Sequence, residues 1–442
     1  MPVLKDKLQN EISEKTMIAE RINDEYILPT KKEQKEVNKI ISRIANKFSK
    51  ELISKDIKEL YEKISVAIKE ECEKLDISYE EQKRIEKIVI MTTLGNGPIE
   101  KYLQDPTVTE VVVQRYDNIV IERKGQIEHV KDAFSSEAQL QTIIKRIVQK
   151  AGRQISIINP IVDARLSDGS RVNATIPPIS VDGATLTIRK FSNAFLTGND
   201  YVSINSLSQN MLYFLSLCII ARVSIFVSGG TGTGKTTLLN MLSSYIPNNE
   251  LIITIEDSCE LKLQQPNVRR METRLSKNEE MMNVDQKALV RAALRQRPDR
   301  IILGETRDGS IVDIISAMST GHEGSMTTIH ANSPQNMVDV RIPILYSMNK
   351  ETDFSESAIA MQIAEAVQLI VQISRFPDGS RKITHISEVG GETEGGRVCI
   401  NDIFVFNRKS YEFENTGYYP ERIIKVFRDK NIDIEERIFN RG

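Results

Sequence analysis

The 442-residue chain has no tryptophan, four cysteines and four histidines. Its cysteines (Cys72, Cys218, Cys259, Cys399) form no CxxC pair. That spacing supports neither a zinc site nor a disulfide framework and suits a reducing cytoplasm. A surplus of positive charge is also missing, since 59 Lys+Arg stand against 61 Asp+Glu for a formal net charge of -2. A dedicated nucleic-acid binder normally carries a basic excess, so DNA or RNA is disfavoured as the main ligand. The N-terminal MPVLKDKLQNEISEK lacks the apolar core of a signal peptide. The stretch most like a membrane span, MLYFLSLCIIARVSIFVSGG at 211–230, carries Arg222 in its middle. A span needs roughly 20 apolar residues with few charges. The stretch therefore reads as a buried helix followed by a buried strand, in a soluble protein with only peripheral membrane contact.

Glycine is absent until Gly95, and residues 1–90 carry 19 basic and 19 acidic residues. Apolar residues recur there at helical spacing, as in VNKIISRIANKFSKELISKDIKELYEKISVAIKEE, which predicts a small bundle of amphipathic helices over 1–92. From 93 to 195 the pattern predicts an α+β domain. VTEVVVQRYDNIVIERKG reads as two strands turning at Tyr116-Asp117-Asn118. SSEAQLQTIIKRIVQKAG reads as a helix capped by Ser135 or Ser136 and ended by Gly152. DARLSDGSRVNATI and ISVDGATLTIRKF each place Asp-Gly between β-rich runs, a hairpin signal. SNAFLTGNDYVSINSLSQ reads as a linker. From 196 to 442 strands and helices alternate, which predicts a mostly parallel sheet covered on both faces. A further hairpin turns at Asp378-Gly379.

The strongest signal is GGTGTGKTT at 229–237, which matches GxxxxGK[ST]. Gly229, Gly230, Thr231, Gly232, Thr233 and Gly234 would turn backbone N–H groups toward phosphates at a helix N-terminus. Lys235 would reach the β- and γ-phosphates of ATP, Thr236 would place its hydroxyl on Mg²⁺, and Thr237 follows in the helix. Two acidic positions end apolar runs downstream: Glu256-Asp257 in IITIEDSCE and Glu305 in DRIILGE. Strand C-termini of an α/β sheet open onto the ligand crevice. Phosphoryl transfer to water needs one carboxylate to orient the water and another near the metal.

With these residues in place, the chain resembles the type II/IV secretion ATPase superfamily, most closely its CpaF-type branch linked to Flp/tight-adherence pili. The resemblance covers about 97–405 and rests on NPIVDARLSDGSRVNATIPP, LTIRKF, SGGTGTGKTTLLN, TIEDSCEL, LVRAALRQRPDRIILGETR and STGHEGSMTTIHANSP. It implies a RecA-like motor domain after a smaller domain, a hexameric ring, and ATP between the two domains. It assigns Glu256 to water activation with Asp257 beside it. Glu305 becomes an atypical Walker B glutamate, preceded by Gly304 where many P-loop proteins have Asp. His322 and His330 become a γ-phosphate-sensing His box. Arg171 and Arg189 match arginines that reach the nucleotide from the smaller domain, and Arg291 and Arg295 are weaker interface candidates. Relatives usually carry Glu where this chain has Ser310, so that glutamate's role does not transfer.

His322 and His330 lie eight positions apart without a nearby cysteine, which does not fit a zinc pair. The resemblance implies a cytoplasmic motor at the inner face of the cytoplasmic membrane, partnered by a platform protein of a pilus or secretion machine. A conjugation-type traffic ATPase, a nucleic-acid translocating motor and a nucleotide-gated platform without turnover remain as alternatives.

Overall fold

The computed structural model describes residues 29–30, 33–48, 57–75, 77–123, 125–191, 196–274, 283–349, 351 and 353–440. The predicted helical segment before residue 29, part of the bundle at 49–56 and the first residues of the predicted linker lie outside them. The chain divides into two compact units, Met1–Ser192 and Asn193–Gly442.

The first unit holds helices α1 (Glu33–Lys47), α2 (Ile57–Lys74) and α3 (Tyr79–Thr93). Their apolar stripes meet through Val37, Ile40, Ile44, Ile64, Ile68 and Ile88, all buried. The same unit holds a six-stranded antiparallel sheet and α4 (Glu137–Lys150), whose Ser136 caps Gln139 N–H. The strands are β1 (Val108–Arg115), β2 (Asn118–Arg123), β3 (Gln126–His129), β4 (Ile161–Arg165), β5 (Arg171–Thr175) and β6 (Thr185–Arg189). Their order is β3-β2-β1-β6-β5-β4. Alternation puts Val111, Val113, Val172, Leu186 and Ile188 on the face against α4. Arg146 of α4 is buried and donates to the Thr92, Thr93 and Gly95 carbonyls at the end of α3, at 2.7 Å for Thr92. This ties the helices to the sheet domain.

The Asp168-Gly169 turn joins β4 to β5 as predicted, but Asp182-Gly183 sits in a longer loop, 176–184. Pro177 and Pro178 have no N–H for a ladder, and Val181 is 92% exposed, so ISV is not a strand. The predicted linker also contains a helix, Gly198–Ser203, held by a capping box between Thr197 and Asp200.

The second unit is built on a nine-stranded sheet: β7 (Ile225–Gly229), β8 (Ile252–Glu256), β9 (Val268–Glu272), β10 (Arg300–Leu303), β11 (Met326–Ile329), β12 (Leu369–Arg375), β13 (Arg381–Glu394), β14 (Arg397–Asn407) and β15 (Glu412–Asn415). The order is β15-β14-β13-β12-β7-β11-β10-β8-β9, parallel from β12 to β9 and antiparallel from β12 to β15. Both faces of the parallel part are buried. Ile225 and Val227 pack with α5 (Gln209–Ile220), α6 (Lys235–Ser243) and α10 (Glu421–Asp429). Phe226 packs with α7 (Gln286–Leu294), α8 (Ile311–Ser319) and α9 (Glu356–Ala366). Two-sided burial explains the continuous apolar runs of β7, β8 and β10. The run 211–230 is a buried helix and a buried strand, with Arg222 between them paired to Glu250 and Asp299. Among the described residues no helix is long and apolar enough to cross a membrane.

Candidate active site

The parallel strands end at a common edge, and β7 delivers the glycine-rich loop there. Gly234 is the N-cap of α6 with φ +92°, a left-handed conformation that glycine adopts without a Cβ penalty. Thr233 Oγ1 donates to the Gly230 carbonyl at 2.9 Å, closing the loop on itself. Lys235 opens α6, and its buried ammonium donates to the same carbonyl at 2.9 Å. Thr231 and Thr237 are exposed and Thr236 is half-buried in the first turn of α6.

The neighbouring parallel strand, β11, pairs Ile329 with Ser228, so His330 emerges beside this loop. The Lys235 ammonium lies 3.2 Å from His330 Nε2 and 3.4 Å from Nδ1. Glu305 Oε1 lies 2.8 Å from the same nitrogen, His330 Nε2. The imidazole thus contacts both a cation and an anion. Burial and then the Lys235 charge push its pKa below the ordinary value, against the opposing pull of Glu305. For Glu305, burial works toward a raised pKa. The hydrogen bond from Arg307 at 2.5 Å and the charges of Arg307, His330 and Lys235 outweigh it, so the carboxyl lies below its usual range.

Glu256 ends β8 as a buried side chain whose Oε2 accepts from Glu260 N–H at 2.7 Å and Leu261 N–H at 2.9 Å. Gly304 lies against it: a Cβ there would meet Glu256 Cγ at 2.9 Å. A side chain at position 304 would therefore crowd Glu256. Asp257 accepts from Thr273 and Gln286, both at 3.2 Å, and stands 3.9 Å from Arg307. Ser310 donates to Gln286 Oε1 at 3.3 Å, and Gln286 donates to the Glu305 carbonyl at 2.9 Å.

The two histidines are not neighbours. His322 precedes β11 and His330 follows it, so the strand separates them, and only His330 reaches the phosphate loop. His322 sits at the opposite edge of the sheet, where its carbonyl accepts from Ser325 N–H and Oγ. The expected His box is thus split by β11, with His330 beside the phosphate loop and His322 at the other end of the strand. Arg171 and Arg189 are direct register partners on β5 and β6, with Glu110 of β1 next in the row. They occupy the sheet face opposite Val172 and Ile188, and burial pushes the Glu110 carboxyl up against the pull of Arg189. Arg291 is held by Asp313 at 3.0 Å and Glu351 at 2.6 Å, and Arg295 caps the end of α7.

Sequence reasoning missed Arg307, although it lies two positions beyond Glu305 in GETRD. It also missed Gln286 and Arg381, whose Nε donates to the Gly232 carbonyl at 3.2 Å. No local pattern marks Arg381, because 149 positions separate the two residues.

The donor set fits Mg²⁺: a threonine hydroxyl in the first turn after Lys235 and a carboxylate kept ionised supply the hard oxygens this ion prefers. Among the described residues no group of His, Cys, Asp and Glu forms a separate metal cluster.

The family described as type II/IV secretion system protein matches residues 92–434. A type IV secretion system protein VirB11 of Bartonella quintana is 30% identical over 332 residues, covering 67% of this chain and 92% of its own. A putative conjugal transfer protein of Mycobacterium tuberculosis is 30% identical over 306 residues, covering 68% and 86%. Among solved structures, the VirB11 ATPase of the Brucella suis type IV secretion system is 26% identical, covers 66% of this chain and 92% of its own, and gives a TM-score of 0.36. The family match spans most of the chain and includes the phosphate loop, both strand-end acids and both histidines, so the chain belongs to the type II/IV secretion system protein family.

Proposed function

We propose that the protein hydrolyses ATP to drive a pilus-assembly or protein-secretion machine from the cytoplasmic face of the membrane. The observation that carries this reading is the Lys235–His330–Glu305 arrangement at the mouth of the phosphate loop. Lys235 would leave the Gly230 carbonyl for the β- and γ-phosphates, and the N–H groups that open α6 would hold the anion. Thr236 and Glu305 would hold Mg²⁺, which supplies charge neutralisation across the β- and γ-phosphates when bound. Glu256 would orient the attacking water, and Asp257 with Gln286 fixes the approach to Glu305. His330 would exchange its contact with Lys235 for one with the γ-phosphate. Arg171 and Arg189 would complete the site from the smaller domain when subunits assemble into a hexamer. The membrane-side partner would be a platform protein.

The test is steady-state hydrolysis in parallel with nucleotide affinity. Lys235→Ala should weaken binding. Glu256→Gln should keep binding and slow turnover by about 100-fold or more, the scale of one general-base contribution. Wild-type turnover in Glu256→Gln would remove that assignment. A conjugation-type role is favoured by the conjugal-transfer relative, and the genes encoded alongside this one separate it from pilus assembly. A many-fold rise of ATPase rate with DNA or RNA would instead support a nucleic-acid translocase.

A further inference from the structure

The phosphate loop has two flanks. On one, β11, β10 and β8 bring His330, Glu305 and Glu256 to the edge of the sheet. On the other, β12 runs parallel to β7 and ends with Arg375, and β13 returns from the same edge beginning with Arg381. These arginines are direct register partners across the hairpin. Like charges placed directly opposite in a sheet repel each other, so the pair is better accommodated beside an anion. Both reach the loop. Arg381 Nε donates to the Gly232 carbonyl at 3.2 Å, and its Cδ lies 3.2 Å from where a Cβ on Gly234 would stand. Arg375 Nη1 lies 3.7 Å from the corresponding point on Gly232. The hairpin is stiffened behind them, where Phe376 packs edge-on against Phe406 at 5.4 Å and against Tyr411 at 6.0 Å.

A phosphate chain whose terminal group lies toward Lys235, His330 and Glu305 must leave the loop on the opposite flank. We infer that Arg381, supported by Arg375, binds the α-phosphate and ribose end of the nucleotide, a contact made equally with ATP and ADP. This rests on the ATPase reading above. The two flanks then divide the work: β11, β10 and β8 distinguish ATP from ADP, and the β12–β13 hairpin holds what the two nucleotides share. A planar guanidinium on the loop carbonyl can turn to a phosphate oxygen with little reorganisation, and phosphate is the partner its fork matches.

Titration calorimetry on the full chain, with ADP and with a non-hydrolysable ATP analogue in Mg²⁺, tests the inference. Arg381→Ala should raise both Kd values by the same factor, roughly tenfold or more, the scale of one charge-assisted hydrogen bond. Arg381→Lys should be intermediate. In turnover the loss should fall on KM more than on kcat, as for an interaction shared by ground and transition states. The nucleotide-free melting temperature should hold. Unchanged ADP affinity in Arg381→Ala would overturn the inference, as would a fall in nucleotide-free melting temperature with both affinities intact. If Arg381→Ala does not fold, Arg375→Ala carries the same comparison, because that side chain is exposed. Wild-type protein that binds neither nucleotide would sink the ATPase reading itself, an outcome visible before any variant is compared.

Discussion

Glu305 Oε1 lies 2.8 Å from Nε2 of His330, whose ring also contacts the Lys235 ammonium at 3.2 Å. One imidazole therefore links the phosphate loop to the strand-end acid on the next parallel strand but one. On the proposed reading, a γ-phosphate entering here would compete with Glu305 for His330 and draw Lys235 away from the Gly230 carbonyl.

His330→Ala should keep ADP affinity and lose about 1–3 kcal/mol of the preference for an ATP analogue, the usual range of a coupling energy. His322→Ala should leave that preference unchanged, because its residue stands at the other end of β11. Calorimetry on both variants decides. Equal losses from both histidines would contradict the division made by the strand.

The pH dependence follows from the direction of two shifts. His330 is held below the ordinary histidine value, so near pH 6 the unfolded chain binds this proton more readily than the folded one. Stability contributed by the neutral ring is complete above about pH 6.5 and falls as the pH drops through the lowered pKa. Glu305 is held below the ordinary carboxylate value, so its contribution is present above about pH 4.3 and is lost below. Both slopes run the same way, toward a weaker nucleotide-free protein in acid. A γ-phosphate beside His330 favours its charged form. Binding of an ATP analogue near pH 6 should therefore take up a proton, measurable by calorimetry in two buffers of different ionisation enthalpy. His330→Ala should abolish that uptake.

Gly304→Ala would drive a methyl to 2.9 Å from Glu256 Cγ. Overpacking of this kind costs about 1–3 kcal/mol and would also displace the carboxylate. Denaturant midpoint and ATP turnover should fall together. A stable, fully active Gly304→Ala would show that Glu256 is not what excludes a side chain there.

Arg146→Met should leave the carbonyls of Thr92, Thr93 and Gly95 without this donor in a buried place. With about 1–3 kcal/mol for each buried group left unsatisfied, the first unit should lose at least ~2 kcal/mol in its own unfolding transition. The second unit should melt as before.

The sequence by itself determined what depends on near neighbours. The phosphate loop is contiguous, so its glycine spacing and Lys235 were readable directly. β7, β8 and β10 were readable because two-sided burial writes an unbroken apolar run, and α4 because its cap and apolar stripe lie within one short segment. β9 was not readable: VRRME alternates poorly and faces solvent at most positions, and only its pairing with β8 makes it a strand. The Asp182-Gly183 hairpin was over-read, since a turn dipeptide does not show that two prolines remove ladder donors just before it. Tertiary structure alone decided which histidine meets Lys235, because His322 and His330 look alike in composition and differ only in the end of β11 they occupy. It decided that Gly304 is a space for Glu256, a contact between parallel strands with no periodic trace. It also set Arg381 against Gly232, for a strand order that reverses around β7 gathers to one edge residues that the chain keeps far apart.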